Sequence, residues 1–149
     1  MDEKTLKIAI AADHAGYELK GYIKKTLETL HFSVKDYGSF SDESVDYPDI
    51  AHPLASAVHT GKFNFGILLC GSGNGMAIVA NKYKKIRAAI CWNEDTAKLA
   101  RTHNDANILI IPARFVSKEK AVRFCEIFLY TEFEGGRHQR RIDKILNLL

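Results

Sequence analysis

Cysteine is scarce in this 149-residue chain: Cys70, Cys91 and Cys125 stand far apart, and no C-x-x-C occurs. An odd, dispersed set supports neither a disulfide framework nor a zinc cluster, and it points to a reducing, cytoplasmic setting. Long apolar runs are missing too, since no stretch reaches the roughly 18 residues a membrane helix needs. Met1-Asp2-Glu3-Lys4 is not a cationic leader followed by an apolar segment. Neither membrane insertion nor export is expected. An excess of one charge sign is also lacking: the formal net charge is +3, with Lys and Arg mixed among Asp and Glu except near the C-terminus. That balance argues against nucleic acid as a partner and leaves room for a local anion site. The six histidines, His14, His31, His52, His59, His103 and His138, form neither H-x-H nor H-E-x-x-H, so no metal site is expected.

What is present is an apolar fraction of 46%, enough for one substantial core, and the chain is expected to form one domain over residues 1–149. Lys7 to Ala12 is a short apolar run that stops at Asp13-His14-Ala15-Gly16, and Leu19, Ile23, Leu27 and Leu30 follow at helical spacing. Ser33 to Tyr37 predicts a second strand. Pro48 opens a helix that runs to about Thr60. Phe65 to Leu69 lacks polar alternation, as a strand buried on both faces should, and its glycine-rich exit leads into a short helix to about Lys82. Ile86 to Trp92 and Asn107 to Ile111 repeat the strand signal around a helix from Asp95 to Thr102. Helices over Ser117 to Tyr130 and from Arg137 to the end complete the pattern, the last burying Ile142, Ile145, Leu146 and Leu149. Strands alternating with helices predict an α/β fold: a Rossmann-like open sheet of about five parallel strands with helices on both faces. Ligands of such sheets sit beyond the carboxyl ends of the strands.

Cys70-Gly71-Ser72-Gly73-Asn74-Gly75 begins where a buried strand ends and runs into a helix, so its N–H groups can face a developing oxyanion. A tight turn serving packing alone is the other reading. The spacing G-x-G-x-G departs from the dinucleotide fingerprint G-x-G-x-x-G. A thiol at a helix N-terminus can become a thiolate near neutral pH, although a strand-end cysteine can equally be packing. Asp13-His14 either binds a ligand or caps the next helix. His103-Asn104 either exchanges protons with a substrate oxygen or forms a solvated helix end. Arg137 and Arg141 are one helical turn apart, which suits clamping a phosphate and suits a solvated basic face equally.

Taken together, Ala12-Asp13-His14-Ala15-Gly16, Gly66 through Gly75, Ala80-Asn81-Lys82, Arg87-Ala88-Ala89, His103-Asn104-Asp105 and Gly135-Gly136-Arg137-His138 resemble the ribose-5-phosphate isomerase B family over nearly the whole chain. The resemblance implies an aldose–ketose isomerase of sugar phosphates that uses neither metal nor cofactor. It further implies Cys70 as the base and His103 as the group that assists ring opening. The amides of Gly71, Ser72, Gly73, Asn74 and Gly75, with the Ser72 hydroxyl, would hold the enediolate. Asp13 and Asn104 would bind sugar hydroxyls, and Tyr47 would border the sugar. Arg137 and Arg141, with His14 and Arg114, would hold the phosphate. Sites shared between subunits are implied, hence a homodimer or dimer of dimers in which the helix from about 137 to 149 serves phosphate site and subunit contacts. Some relatives carry a Glu base at the position of Met76; methionine cannot take that proton, so the chain resembles the cysteine type. Ribose 5-phosphate is the leading substrate, with allose or galactose 6-phosphate as an alternative. A non-catalytic nucleotide- or phosphate-binding module is the alternative of another class.

Overall fold

The computed structural model describes residues 6–148. The elements run β1 (Lys7–Ala12), α1 (Tyr17–Thr29), β2 (Ser33–Asp36), α2 (Tyr47–His59), β3 (Phe65–Cys70) and α3 (Asn74–Ala80). Then come β4 (Ala88–Ile90), α4 (Glu94–Thr102), β5 (Ile108–Pro112), α5 (Lys118–Tyr130) and α6 (Arg137–Asp143). The strands form one parallel sheet in the order β2-β1-β3-β5-β4. This is the expected three-layer α/β architecture.

Strand alternation assigns each layer its core. Ile8, Ile10, Ala12, Ile67 and Leu69 face a cluster with Ile23 and Leu27 of α1 and Phe124 and Phe128 of α5. Ala9, Ala11, Leu68 and Cys70 face the other cluster, with Leu54 of α2 and Met76 of α3. The chain therefore leaves β1 toward one face and β3 toward the other. Between these neighbouring strands lies the switch point of the sheet, a crevice that begins at Asp13 and Cys70.

Three boundaries differ from the sequence expectation. Cys70 is the last residue of β3, in register with Pro112 of β5, rather than the first residue of the loop. The fourth strand shrinks to Ala88–Ile90 because side-chain amides replace its ladder at the start: Asn81 bonds both the N–H and the carbonyl of Ala88, and Asn107 Oδ1 accepts from the Arg87 N–H. The last helix stops at Asp143, and Ile145 and Leu146 are exposed, not buried as expected. No apolar layer of the same chain covers them, so nothing offsets the entropy of ordering further turns. Leu149 lies outside the described residues.

A lysine is built into the core. Lys20 shares the inward stripe of α1 with Ile23 and Leu27 and is 2% exposed. Its Nζ donates to Asp36 Oδ1 at 2.8 Å and to the Ser39 carbonyl. Asp36 Oδ1 also accepts from the Gly38 N–H, while the Ser39 N–H donates to the Ala12 carbonyl at 2.7 Å. The segment after β2 is thus held beside the end of β1, on its way to Tyr47. Truncating one partner of a buried ion pair strands the other, so Lys20→Ala is expected to cost about 3–5 kcal/mol in urea unfolding.

Candidate active site

The exit of β3 supplies the centre of the crevice. Gly73 is the N-cap of α3 at φ +83°, and Asn74 begins the helix. The Asn74 N–H donates to Ser72 Oγ at 3.2 Å, which leaves the Ser72 hydroxyl proton available to a ligand. The N–H groups of Gly71, Ser72 and Gly73 find no acceptor among the described residues. They line the turn that leads into the start of α3, next to the Cys70 thiol.

Neighbouring segments converge on this loop. Arg114, on the turn after β5, lays its guanidinium over Gly71: a Cβ added there would stand 3.0 Å from Nε. The Tyr47 ring lies against Gly75, where an added Cβ would come within 2.7 Å of it. The approach at Gly75 requires glycine, whereas a Cβ at Gly71 would need the Arg114 side chain to give by a few tenths of an ångström. Asp13 is buried, and its Oδ1 accepts from the N–H groups of Ala15 and Gly16 at 3.0 and 3.3 Å. One carboxylate oxygen thus shapes the turn into α1, so the structural half of the Asp13 alternatives is real. His14 Nδ1 accepts from the Val45 N–H at 3.3 Å, which assigns the neutral-ring proton to Nε2. Met76 is fully buried against α2 and serves packing.

Of the three thiols, burial pushes Cys91 up to about 12 and Cys125 higher still. Both stay protonated at neutral pH, as their packing role suggests.

The remaining candidates lie elsewhere. Helix α4 leaves the carboxyl end of β4 and returns against the strand direction, so its C-cap, His103, sits at the amino edge of the sheet. The Asn104 carbonyl accepts from Arg87 Nε at 3.0 Å, just before β4 begins. Helix α6 joins that edge: the Glu134 N–H donates to the Thr102 carbonyl, and the His138 ring stacks on His103 with centroids 4.1 Å apart and planes 16° apart. Arg137 and Arg141 are exposed on this helix. One chain therefore unites Asp13, His14, Tyr47, Cys70 to Gly75 and Arg114, and it sets His103, Asn104, Arg137 and Arg141 apart from them. The separation is about the length of six-residue β3, roughly 20 Å.

Two residues here escaped the sequence reading. Lys20 carried a signal, a cation at i, i+3 and i+7 with buried Ile23 and Leu27. His138 carried only its place in Arg137-His138-Gln139-Arg140-Arg141, with no hint of a ring partner. The side chains of His103, Glu134 and His138 bring donor atoms within 4.8 Å of one another. Stacked rings nevertheless point their lone pairs along separate, nearly parallel planes, a poor arrangement for a common ion.

Comparison with known proteins shows the family. Residues 8–145 match the family model described as Ribose/Galactose Isomerase. The chain belongs to that family. It is 42% identical to ribose-5-phosphate isomerase B of Escherichia coli, over 93% of each chain. The ribose 5-phosphate isomerase structure from Thermotoga maritima superimposes with a TM-score of 0.94 at 50% identity, covering 97% of this chain and 99% of that one. The Mycoplasma genitalium ribose-5-phosphate isomerase B, solved with bound ribulose 5-phosphate, gives a TM-score of 0.92 at 44% identity, with 96% and 95% covered. Within the family frame, the open amide cradle beside Cys70 is the feature suited to a sugar-derived oxyanion.

His138 has a measurable consequence for stability. Its ring is 5% exposed and Nε2 lacks a hydrogen-bond partner, with Glu134 Oε2 at 3.6 Å. Burial lowers its pKa, aided by the charges of His103, Arg137 and Arg141 and opposed by Glu134. The folded state then binds fewer protons than the unfolded chain, whose imidazole titrates near about 6.5, so this stability is present above that pH and is lost as pH falls through it. The urea midpoint is expected to drop between pH 7.5 and 5.5, and His138→Phe is expected to make that drop smaller.

Proposed function

We propose that this chain interconverts ribose 5-phosphate and ribulose 5-phosphate, in a site completed by a second copy of itself. The observation that carries the substrate is near full-length similarity to ribose-5-phosphate isomerases B, one of them holding ribulose 5-phosphate. What supports the second copy is the division of the candidate residues between two edges of one parallel sheet. The exposed Ile145, Leu146 and Leu148 beside α6 offer apolar surface for such a contact.

The chemistry follows from the parts. Ring opening breaks the bond between C1 and the ring oxygen; His103 of one copy protonates that oxygen while water takes the proton of the C1 hydroxyl, whose oxygen becomes the aldehyde carbonyl. In the open aldehyde the Cys70 thiolate of the other copy takes the proton from C2. The electron pair left on carbon forms the C1=C2 bond, and the charge moves to the former carbonyl oxygen. The N–H groups of Gly71, Ser72 and Gly73 and the Ser72 hydroxyl meet that oxyanion, which exists only along the reaction path. Transfer of the C2 hydroxyl proton to O1 and return of the carbon-bound proton from Cys70 to C1 yield the ketose and restore the thiolate. Asp13 and Asn104 bind sugar hydroxyls and Tyr47 flanks the chain of carbons. His14 and Arg114 of one copy and Arg137 and Arg141 of the other hold the phosphate, whose remote binding energy orients C1 and C2.

Ribose 5-phosphate in D₂O is expected to give ribulose 5-phosphate carrying deuterium at C1, with Cys70→Ala slower by about 10²-fold or more. Absence of turnover on this sugar, with turnover on allose or galactose 6-phosphate, would move the assignment to a hexose. The shared site has its own test: Cys70→Ala and His103→Ala, each inactive, are unfolded together and refolded as a mixture. A site drawn from two copies should recover about a quarter of wild-type activity, because half the dimers are mixed and each has one intact site. No recovery would restrict the site to a single chain.

A further inference from the structure

The ring of His103 has no hydrogen bond to a group among the described residues; what it touches is the flat face of His138. His103 is the C-cap of α4, half-buried at the end of the helix. An imidazole that must deliver a proton along a defined direction needs its plane fixed, and a stacked neighbour fixes the plane while leaving both nitrogen edges open. His138 is suited to that task. It is buried, its N–H donates to the Gly135 carbonyl at 3.2 Å, and the Glu134 to Thr102 hydrogen bond ties the start of its helix to the end of α4.

We propose that His138 is a positioning residue for His103, fixing the plane of its imidazole. This rests on the assignment of His103 to ring opening given above.

Ribulose 5-phosphate gives a way to isolate this step, because its C5 oxygen is esterified and the ketose stays open-chain. Deuterium entry at its C1 in D₂O needs the thiolate and the oxyanion cradle but no ring opening. His138→Ala is expected to slow ketose formation from ribose 5-phosphate about tenfold or more while deuterium entry into ribulose 5-phosphate stays within about twofold of wild type. His138→Phe, which keeps a flat buried ring, should retain turnover within about threefold. Wild-type turnover in His138→Ala, or a parallel fall of both reactions, would overturn the proposal. His103→Ala serves as the reference: if it too lacks the split, the ring-opening assignment fails; if it alone shows the split, only the role of His138 fails.

Discussion

All five strands point the same way, and the site depends on that polarity. In a parallel sheet every strand exit lies at one edge and every helix return at the other, so a residue's edge is set by whether it follows a strand or a helix. Asp13, Cys70 and Arg114 follow strands. His103 follows a helix, and α6 is tied to it by hydrogen bond and ring stacking. Loop adjustment cannot exchange the edges, because the strand between them is covered on both faces by packed helices. Under the proposed chemistry, which uses both groups, two chains would meet edge to edge to complete one site.

Charge is handled differently at the two edges. At the carboxyl edge, the N–H groups after Cys70 remain open, and the buried Lys20–Asp36 pair fixes the segment leading toward Tyr47. That ion pair is fully engaged, with the Ser39 carbonyl and the Gly38 N–H as further partners, and it acts as a support. At the amino edge, His138 keeps an unpaired buried nitrogen close to a carboxylate, two guanidinium groups and a second imidazole. An environment so unbalanced responds to a single proton.

Much of the fold was legible in the sequence because periodicity and punctuation agreed. The run Phe65 to Leu69 had no polar alternation, and it is the central strand between β1 and β5. Pro48 and Ser117 marked helix starts that the structure places within one residue. The errors fell where local pattern had no tertiary partner or an unforeseen one. Side-chain amides of Asn81 and Asn107 shortened β4, and the apolar positions after Asp143 continued a helical pattern that no layer of the same chain could bury.

The amino-acid sequence by itself determined the α/β class, the glycine-rich exit after Cys70 and the residue types needed for proton transfer and phosphate binding, since these depend on spacing within short segments. Family resemblance added the roles those residues would take. Tertiary structure decided which of them meet. It turned Cys70 toward the α2 and α3 layer, laid Arg114 and Tyr47 against glycines, sent His103 to the opposite edge and stacked His138 upon it. Each of these outcomes depends on strand order and helix direction, which bring together residues far apart in the chain and leave no mark in local spacing.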